Sequence, residues 1–198
     1  MIIKRRLLCG LDEAGRGPLA GPVCAAAVIL GETFPMDILN DSKKLSAARR
    51  EKLKMIIFQE AYSWGLGWAS ADEIDDINIH KASLLAMKRA FQAMLETTES
   101  KGKPLPLDDM HAIADGLFVP DLPLDCKALI KADSKIPEVM AASILAKTSR
   151  DRLMEYYGLF YPEYGYERHK GYPTKAHRQA IARFGPSPIQ RMSFGSFG

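Results

Sequence analysis

The chain has 198 residues, 47% of them hydrophobic, enough to fill the core of one substantial domain and too apolar for intrinsic disorder. Its 27 Lys and Arg against 24 Asp and Glu leave a net charge of +3, too mild to identify a nucleic-acid binder yet compatible with a basic face around an acidic cluster. The 3 cysteines, Cys9, Cys24 and Cys126, are far apart and signal neither a disulfide framework nor a zinc site, and no stretch reads as a membrane span or secretory leader, so a soluble, unprocessed, cytoplasmic protein is expected.

Leu7 to Leu11 and Val23 to Leu30 are apolar runs of strand length, separated by a glycine-rich turn, and Trp64 to Ala69 reads as a third, antiparallel strand despite Gly65 and Gly67. Trp64 and Trp68 fall on one face of it and are expected in the core. Between these strands Ser46 caps a helix through about Ala61, with Leu53, Ile56, Ile57 and Ala61 inward and Arg49, Arg50, Lys52 and Lys54 outward. Leu84, Met87, Phe91, Met94 and Leu95 recur at helical spacing and predict a second helix from near Asn78 to about Leu95, ended by a loop over Lys101 to Leu107. His111 to Ala114 and Lys127 to Ile130 are short strands, leading into Asp115-Gly116 and Lys131-Ala-Asp133. Ser134 and Pro137 open a long helix to about Tyr156, with Ile136, Met140, Ile144 and Leu145 toward the sheet. Tyr156 to Pro173 reads as a surface loop, and Thr174 caps a last helix to Arg183 that Gly185-Pro186 stops. The sum is a single α/β domain over 1–198 with a C-terminal helical extension, about 157–198 forming a substrate-contacting loop and that extension.

Asp12, Glu13, Asp115 and Asp133 all fall at strand ends or in the turns just beyond them, the side of an α/β sheet where sites gather. Taken singly, each also fits a helix cap or a solvent-facing turn. Brought together they would repel one another unless divalent cations neutralised them, and hard oxygen ligands without Cys or His suit magnesium or manganese. Two such ions can activate water on one side of a phosphodiester and stabilise the leaving oxygen on the other, which is nuclease chemistry. The glycines at 15, 17 and 21 lie beside the first acids, where backbone can approach a phosphate closely.

Asp12-Glu-Ala-Gly-Arg-Gly-Pro18, Asp41-Ser-Lys-Lys-Leu45, Asp115-Gly116, Lys131-Ala-Asp-Ser-Lys-Ile-Pro-Glu138 with Ala141-Ala-Ser-Ile-Leu-Ala-Lys147, and His169-Lys-Gly-Tyr-Pro-Thr174 follow one another as in ribonuclease HII. The chain resembles that family from about Leu8 to Phe194. The resemblance implies a ribonuclease H-like fold, a mixed five-stranded sheet flanked by helices. It also implies an endoribonuclease that cuts RNA–DNA hybrids and single ribonucleotides within duplex DNA, leaving 5′-phosphate and 3′-hydroxyl ends. On that resemblance Asp12 would bridge two ions, Glu13 and Asp133 completing one site and Asp115 the other. Gly15, Arg16 and Gly17 would contact the ribose 2′-hydroxyl and adjoining phosphates, and Tyr172 would stack on the neighbouring sugar. Leu117-Phe118, where a polar residue is expected, departs from the pattern and leaves the local strand register open.

Lys43 and Lys44 are candidate phosphate contacts on the same resemblance, with Lys147, Arg150, His169 and Lys170 beside them. His80, His111 and His177 have no liganding partner at useful spacing and are expected to be structural or exposed. Gln190-Arg-Met-Ser-Phe194 is faintly similar to a sliding-clamp-binding peptide, and a monomer is the expected state. Two other readings stay open: a noncatalytic hybrid-binding module, and a metal nuclease without ribose preference.

Overall fold

The computed structural model describes residues 7–39 and 46–195. The motif Asp41 to Leu45, with Lys43 and Lys44, lies outside the described residues. β1 (Leu7–Ala14) and β2 (Val23–Ile29) pair antiparallel, and β3 (Ser63–Ala69) adds to β2 antiparallel as expected. β4 (Met110–Asp115) and β5 (Cys126–Leu129) join on the other side of β1, both parallel. The sheet order is β3-β2-β1-β4-β5, a mixed five-stranded sheet of the kind the resemblance implies. β2 is buried along its whole length, as a central strand of small and branched residues must be when both sheet faces are covered. β1 runs three residues further than its apolar pattern suggests, so Asp12 and Glu13 stand within the strand opposite Ala26 and Ala25.

Two cores sandwich this sheet. On one face Cys9, Leu11, Ala25, Ala112 and Ala114 pack against α2 (Ala71–Ser100), and on the other Cys24, Ala26 and Val28 pack against α1 (Ala47–Glu60) and α3 (Pro137–Phe160). Trp64 and Trp68 join the second core, and the Trp64 ring nitrogen donates to the Phe58 carbonyl. The glycines of β3 face α2, where a Cβ on Gly67 would sit 2.1 Å from the Ala86 oxygen; they let the helix approach rather than weaken the strand.

Three expectations need correction. The second helix does restart at Asn78, which has φ 67° and ψ 160° and whose side-chain oxygen accepts the His80 and Lys81 N–H groups. Before that kink, however, a segment begins at Ala71, set by a reciprocal Ser70–Glu73 capping box, and beyond it the helix continues to Ser100. Lys54 is buried rather than outward, its ammonium over the Phe58 ring, 5.8 Å from the centroid, and meeting Glu51 at 3.3 Å. The stretch Tyr156 to Pro173 is not a surface loop. α3 persists to Phe160, a tight turn covers Pro162–Tyr164, and α4 (Tyr166–His169) follows. Tyr164 and Tyr166 stack at 5.5 Å and are buried with Met154, Ala180 and Ile181 in a third core under α5 (Lys175–Phe184). Tyrosines flanked by glycine and charge look solvated in sequence, but here their rings hold the C-terminal extension to α3, and the Tyr166 hydroxyl is satisfied by Ser187 at 2.6 Å. No helix among the described residues is long and apolar enough to cross a membrane.

Candidate active site

Strand register builds the first half of the site. Leu11 pairs with Ala114, so the next residues along these parallel strands, Asp12 and Asp115, stand side by side on the face covered by α3. The other half comes from Ala132–Ser134, a 3-10 turn entered through Lys131 in the left-handed region (φ 58°). Asp115 ties the two together: its carboxylate accepts the Ala132 N–H at 2.7 Å, which brings the turn holding Asp133 against the end of β4. Carboxylate oxygens of Asp12, Asp115 and Asp133 then lie within 4.8 Å of one another. Asp12 and Asp133 are buried.

Burial, then the negative charge of Glu13, pushes the Asp12 carboxyl well above the usual carboxylate range, while a hydrogen bond from Ser143 opposes the rise. The Glu13 carboxyl is also raised, chiefly by burial and against the pull of Arg16. Glu13 is not one of the three that converge; it meets Arg16 at 3.1 Å. Among the described residues Asp12 and Asp115 make no ion pair with Lys or Arg, so an acidic cluster of this density calls for an external cation. Hard oxygen donors from three separate elements, without sulfur or imidazole, fit magnesium or manganese.

A cleft of about 400 Å³ opens beside the acids, lined by Glu13, Gly15, Arg16, Gly17, Asp133, Ser143, Lys147 and Tyr172. Gly15 has φ +100°, and a Cβ there would lie 2.0 Å from Nε of Arg150, so only glycine fits the turn. Tyr172, 41% exposed, lies over Gly17, where a Cβ would stand 3.7 Å from the ring. Lys147 reaches the cleft and pairs with Asp151 at 2.7 Å. Arg50 from α1 also lines it.

Other candidates sit elsewhere. His169 and Lys170 do not line this cleft: His169 uses both ring nitrogens, toward the Tyr164 carbonyl at 2.8 Å and the Gly171 N–H at 3.2 Å, and Lys170 pairs with Glu155 at 2.8 Å and contacts the Glu167 carbonyl. Arg150 is not a surface cation; it is 1% exposed and donates to the carbonyls of Pro22, Ala20 and Lys170. His177 is structural as expected, fully buried, stacked on His169 at 4.5 Å and bonded to the Tyr172 carbonyl at 3.0 Å. Leu117 and Phe118 are exposed beyond the end of β4, Phe118 resting edge-on against His80, and the register of Asp115 is unaffected. Gln190 and Arg191 are buried against the Gly15 to Pro22 turn. Sequence reading missed Ser143 and Arg191. Ser143 is traceable in hindsight as a lone hydroxyl within Ala141 to Ala146, but nothing local marks Arg191.

The sequence model of the family described as Ribonuclease HII matches residues 9–197. A ribonuclease HII of Treponema denticola is 53% identical over 195 residues, covering 95% of this chain and 98% of the relative; one of Dechloromonas aromatica is 48% identical, covering 98% and 94%. Among solved structures, the ribonuclease HII of Archaeoglobus fulgidus, in complex with PCNA, superposes with a TM-score of 0.72 at 28% identity, over 96% of this chain and 95% of the other. The ribonuclease H2 of Pyrococcus horikoshii gives 0.70 at 25%, over 95% and 93%. With near-complete coverage, close identity and a matching overall fold, the chain belongs to the ribonuclease HII family and is a hydrolase of the ribonuclease H class, an endoribonuclease acting on RNA–DNA hybrids.

Proposed function

We propose that this endoribonuclease cuts on the 5′ side of ribonucleotides, both in RNA–DNA hybrids and at single ribonucleotides embedded in duplex DNA, leaving 5′-phosphate and 3′-hydroxyl ends. The observation that carries this reading is the convergence of Asp12, Asp115 and Asp133 within 4.8 Å beside a glycine-walled cleft. Asp12, Asp115 and Asp133, joined by Glu13 once its carboxylate leaves Arg16, would hold two divalent ions, magnesium or manganese. Such ions, when bound, supply Lewis acidity to the phosphodiester and favour ionisation of the attacking water.

The chain's own groups do the rest. Ser143 orients the Asp12 carboxylate. The backbone of Gly15, Arg16 and Gly17 approaches the 2′-hydroxyl, the atom that separates RNA from DNA, and Tyr172 packs on the neighbouring sugar. Lys147 and Arg50, both lining the cleft, meet phosphates and supply affinity that falls with salt. Lys43 and Lys44 add phosphate contacts on the family resemblance, and His169 and Lys170 act next to the cleft, the His169 carbonyl accepting the Tyr172 N–H at 2.9 Å. All these groups come from one chain, which acts as a monomeric single catalytic domain in the cytoplasm, in ribonucleotide excision repair. A sliding-clamp contact through Gln190 to Phe194 has its outward purchase at Met192, which is 50% exposed.

The deciding assay uses duplex DNA carrying one ribonucleotide, with and without divalent ion, and maps the cut. Incision on the 5′ side that requires the ion supports the proposal. Equal cutting of an all-DNA duplex would remove the ribose-reading role of Gly15 to Gly17 and Tyr172. Asp133→Asn should lose about 10²-fold or more in rate while keeping duplex affinity within a few-fold, and undiminished turnover would refute the metal assignment.

A further inference from the structure

The turn that walls the cleft is shaped from behind by a residue 175 positions away in sequence. Arg191, fully buried, donates from Nη2 to the Gly15 carbonyl at 2.6 Å, from Nη1 to the Arg16 carbonyl at 3.1 Å, and from Nε to the Gly21 carbonyl at 2.8 Å. One planar guanidinium thus pins both ends of the Gly15 to Gly21 loop, which a point-like ammonium could not do. The main chain around it is fastened too. The Arg191 N–H donates to the Leu19 carbonyl and the Gly21 N–H to the Ile189 carbonyl, each at 2.8 Å. Asp75, in the first segment of α2, accepts the Met192 and Ser193 N–H groups at 2.7 and 3.0 Å and stops this segment from sliding.

Peptide planarity gives this arrangement a direction. In a trans peptide the N–H points opposite to the preceding carbonyl. With the Gly15 and Arg16 carbonyls drawn back onto Arg191, the Arg16 and Gly17 N–H groups face away from it. Among the described residues neither N–H donates a hydrogen bond within the protein. Both residues line the cleft.

We propose that Arg191 is a positioning residue for ribonucleotide recognition: by holding the Gly15 and Arg16 carbonyls it presents the Arg16 and Gly17 amides as paired donors to the ribose and its adjoining phosphate. Arg150 is its counterpart on the far limb of the loop, but its partners are Ala20, Pro22 and Lys170, so it leaves the two cleft-lining peptides to Arg191. This rests on the reading above that the turn meets the ribonucleotide.

Arg191→Met, Arg191→Lys and Asp75→Asn test it, with kcat and KM measured on duplex DNA carrying one ribonucleotide and folding followed by thermal unfolding. Arg191→Met should raise KM and lower kcat/KM by about 10- to 100-fold at temperatures where it is fully folded, the scale of a misplaced binding group. Arg191→Lys should recover only part of that loss, and Asp75→Asn should raise KM by a smaller factor. A merely structural role predicts a lower melting temperature with KM unchanged per folded molecule, and that result overturns the inference. Should Arg191→Met not fold, Asp75→Asn decides, an unchanged KM overturning it. Failure of the unaltered protein to cut at the ribonucleotide would instead defeat the proposed function.

Discussion

Gly10→Ala is the smallest change that should disturb both stability and the site. Gly10 lies in β1, two residues before Asp12, and its α face looks at the first turn of α3, five residues beyond Asp133. A Cβ there would stand 2.2 Å from the Glu138 carbonyl carbon, 2.4 Å from the Val139 nitrogen and 2.5 Å from the Glu138 oxygen. All three are main-chain atoms, so no side chain can rotate away, and relief needs a shift of roughly 1 Å between β1 and the start of α3. Overpacking of this kind costs about 1–3 kcal/mol, which at roughly 2–4 °C per kcal/mol for a domain of this size is a visible drop in melting temperature. The same shift parts Asp12 from Asp133, and a displacement of about 1 Å costs on the order of 10²-fold in rate. Thermal unfolding together with hybrid cleavage well below the transition measures both. Gly31→Ala is the control, since its Cβ would meet only the Tyr62 Cβ at 3.9 Å. If Gly10→Ala matched wild type in melting temperature and rate, the tight contact of α3 on β1 would not be what sets the acid geometry.

The buried acids carry a further expectation. Because the folded Asp12 carboxyl is raised, its favourable protonated form contributes stability at low pH that is lost as pH rises, so at neutral pH without dication the charge is a penalty. Asp12→Asn should therefore melt roughly 2–6 °C above wild type in chelator, the gap narrowing as magnesium is added; an equal or lower melting temperature would contradict it. Burial lowers the pKa of His177 from its ordinary 6.5, so the unfolded chain takes up the proton first and stability present above that value falls as pH drops below it. Urea midpoints between pH 7.5 and 5 should decline, and His177→Gln should flatten the slope; identical slopes would clear His177. Ser143→Ala, which removes the hydroxyl bonded to Asp12, should lower kcat about tenfold with little change in melting temperature, and full activity would show that the acid needs no such partner.

Much of the sheet could be read in advance because its signals are local. Apolar runs gave β1, β2 and β3, and Ser46 and Thr174 cap helices as their residue types suggest, each accepting an N–H three residues on. Asp12, Asp115 and Asp133 were visible from their place at strand ends, and the parallel register and one hydrogen bond from Ala132 bring them together. What the sequence does not show depends on distant partners. The Ser70 to Glu73 capping signal was present, but the polar run Asp72, Glu73, Asp75, Asp76 hid it, and Asp75 has its purpose only against Met192 and Ser193. Lys54, Arg150 and Arg191 are cations by type and interior residues by position. Sequence cannot show which carbonyls will surround them, so charge alone places them wrongly on the surface. The tyrosines at 164 and 166 read as solvated for the converse reason: their packing partners, Ala20, Met154, Ala180 and Ile181, come from distant parts of the chain.

The bond between Arg191 and the Gly15 carbonyl joins residues 176 positions apart. On a ribosome, β1 and its acids emerge early, yet the loop beside them lacks its guanidinium until the segment around residue 191 has been made. A nascent chain would hold Asp12, Asp115 and Asp133 well before its Gly15 and Arg16 carbonyls were fastened. The shape of that loop would thus be set only after the strands of the sheet have been made.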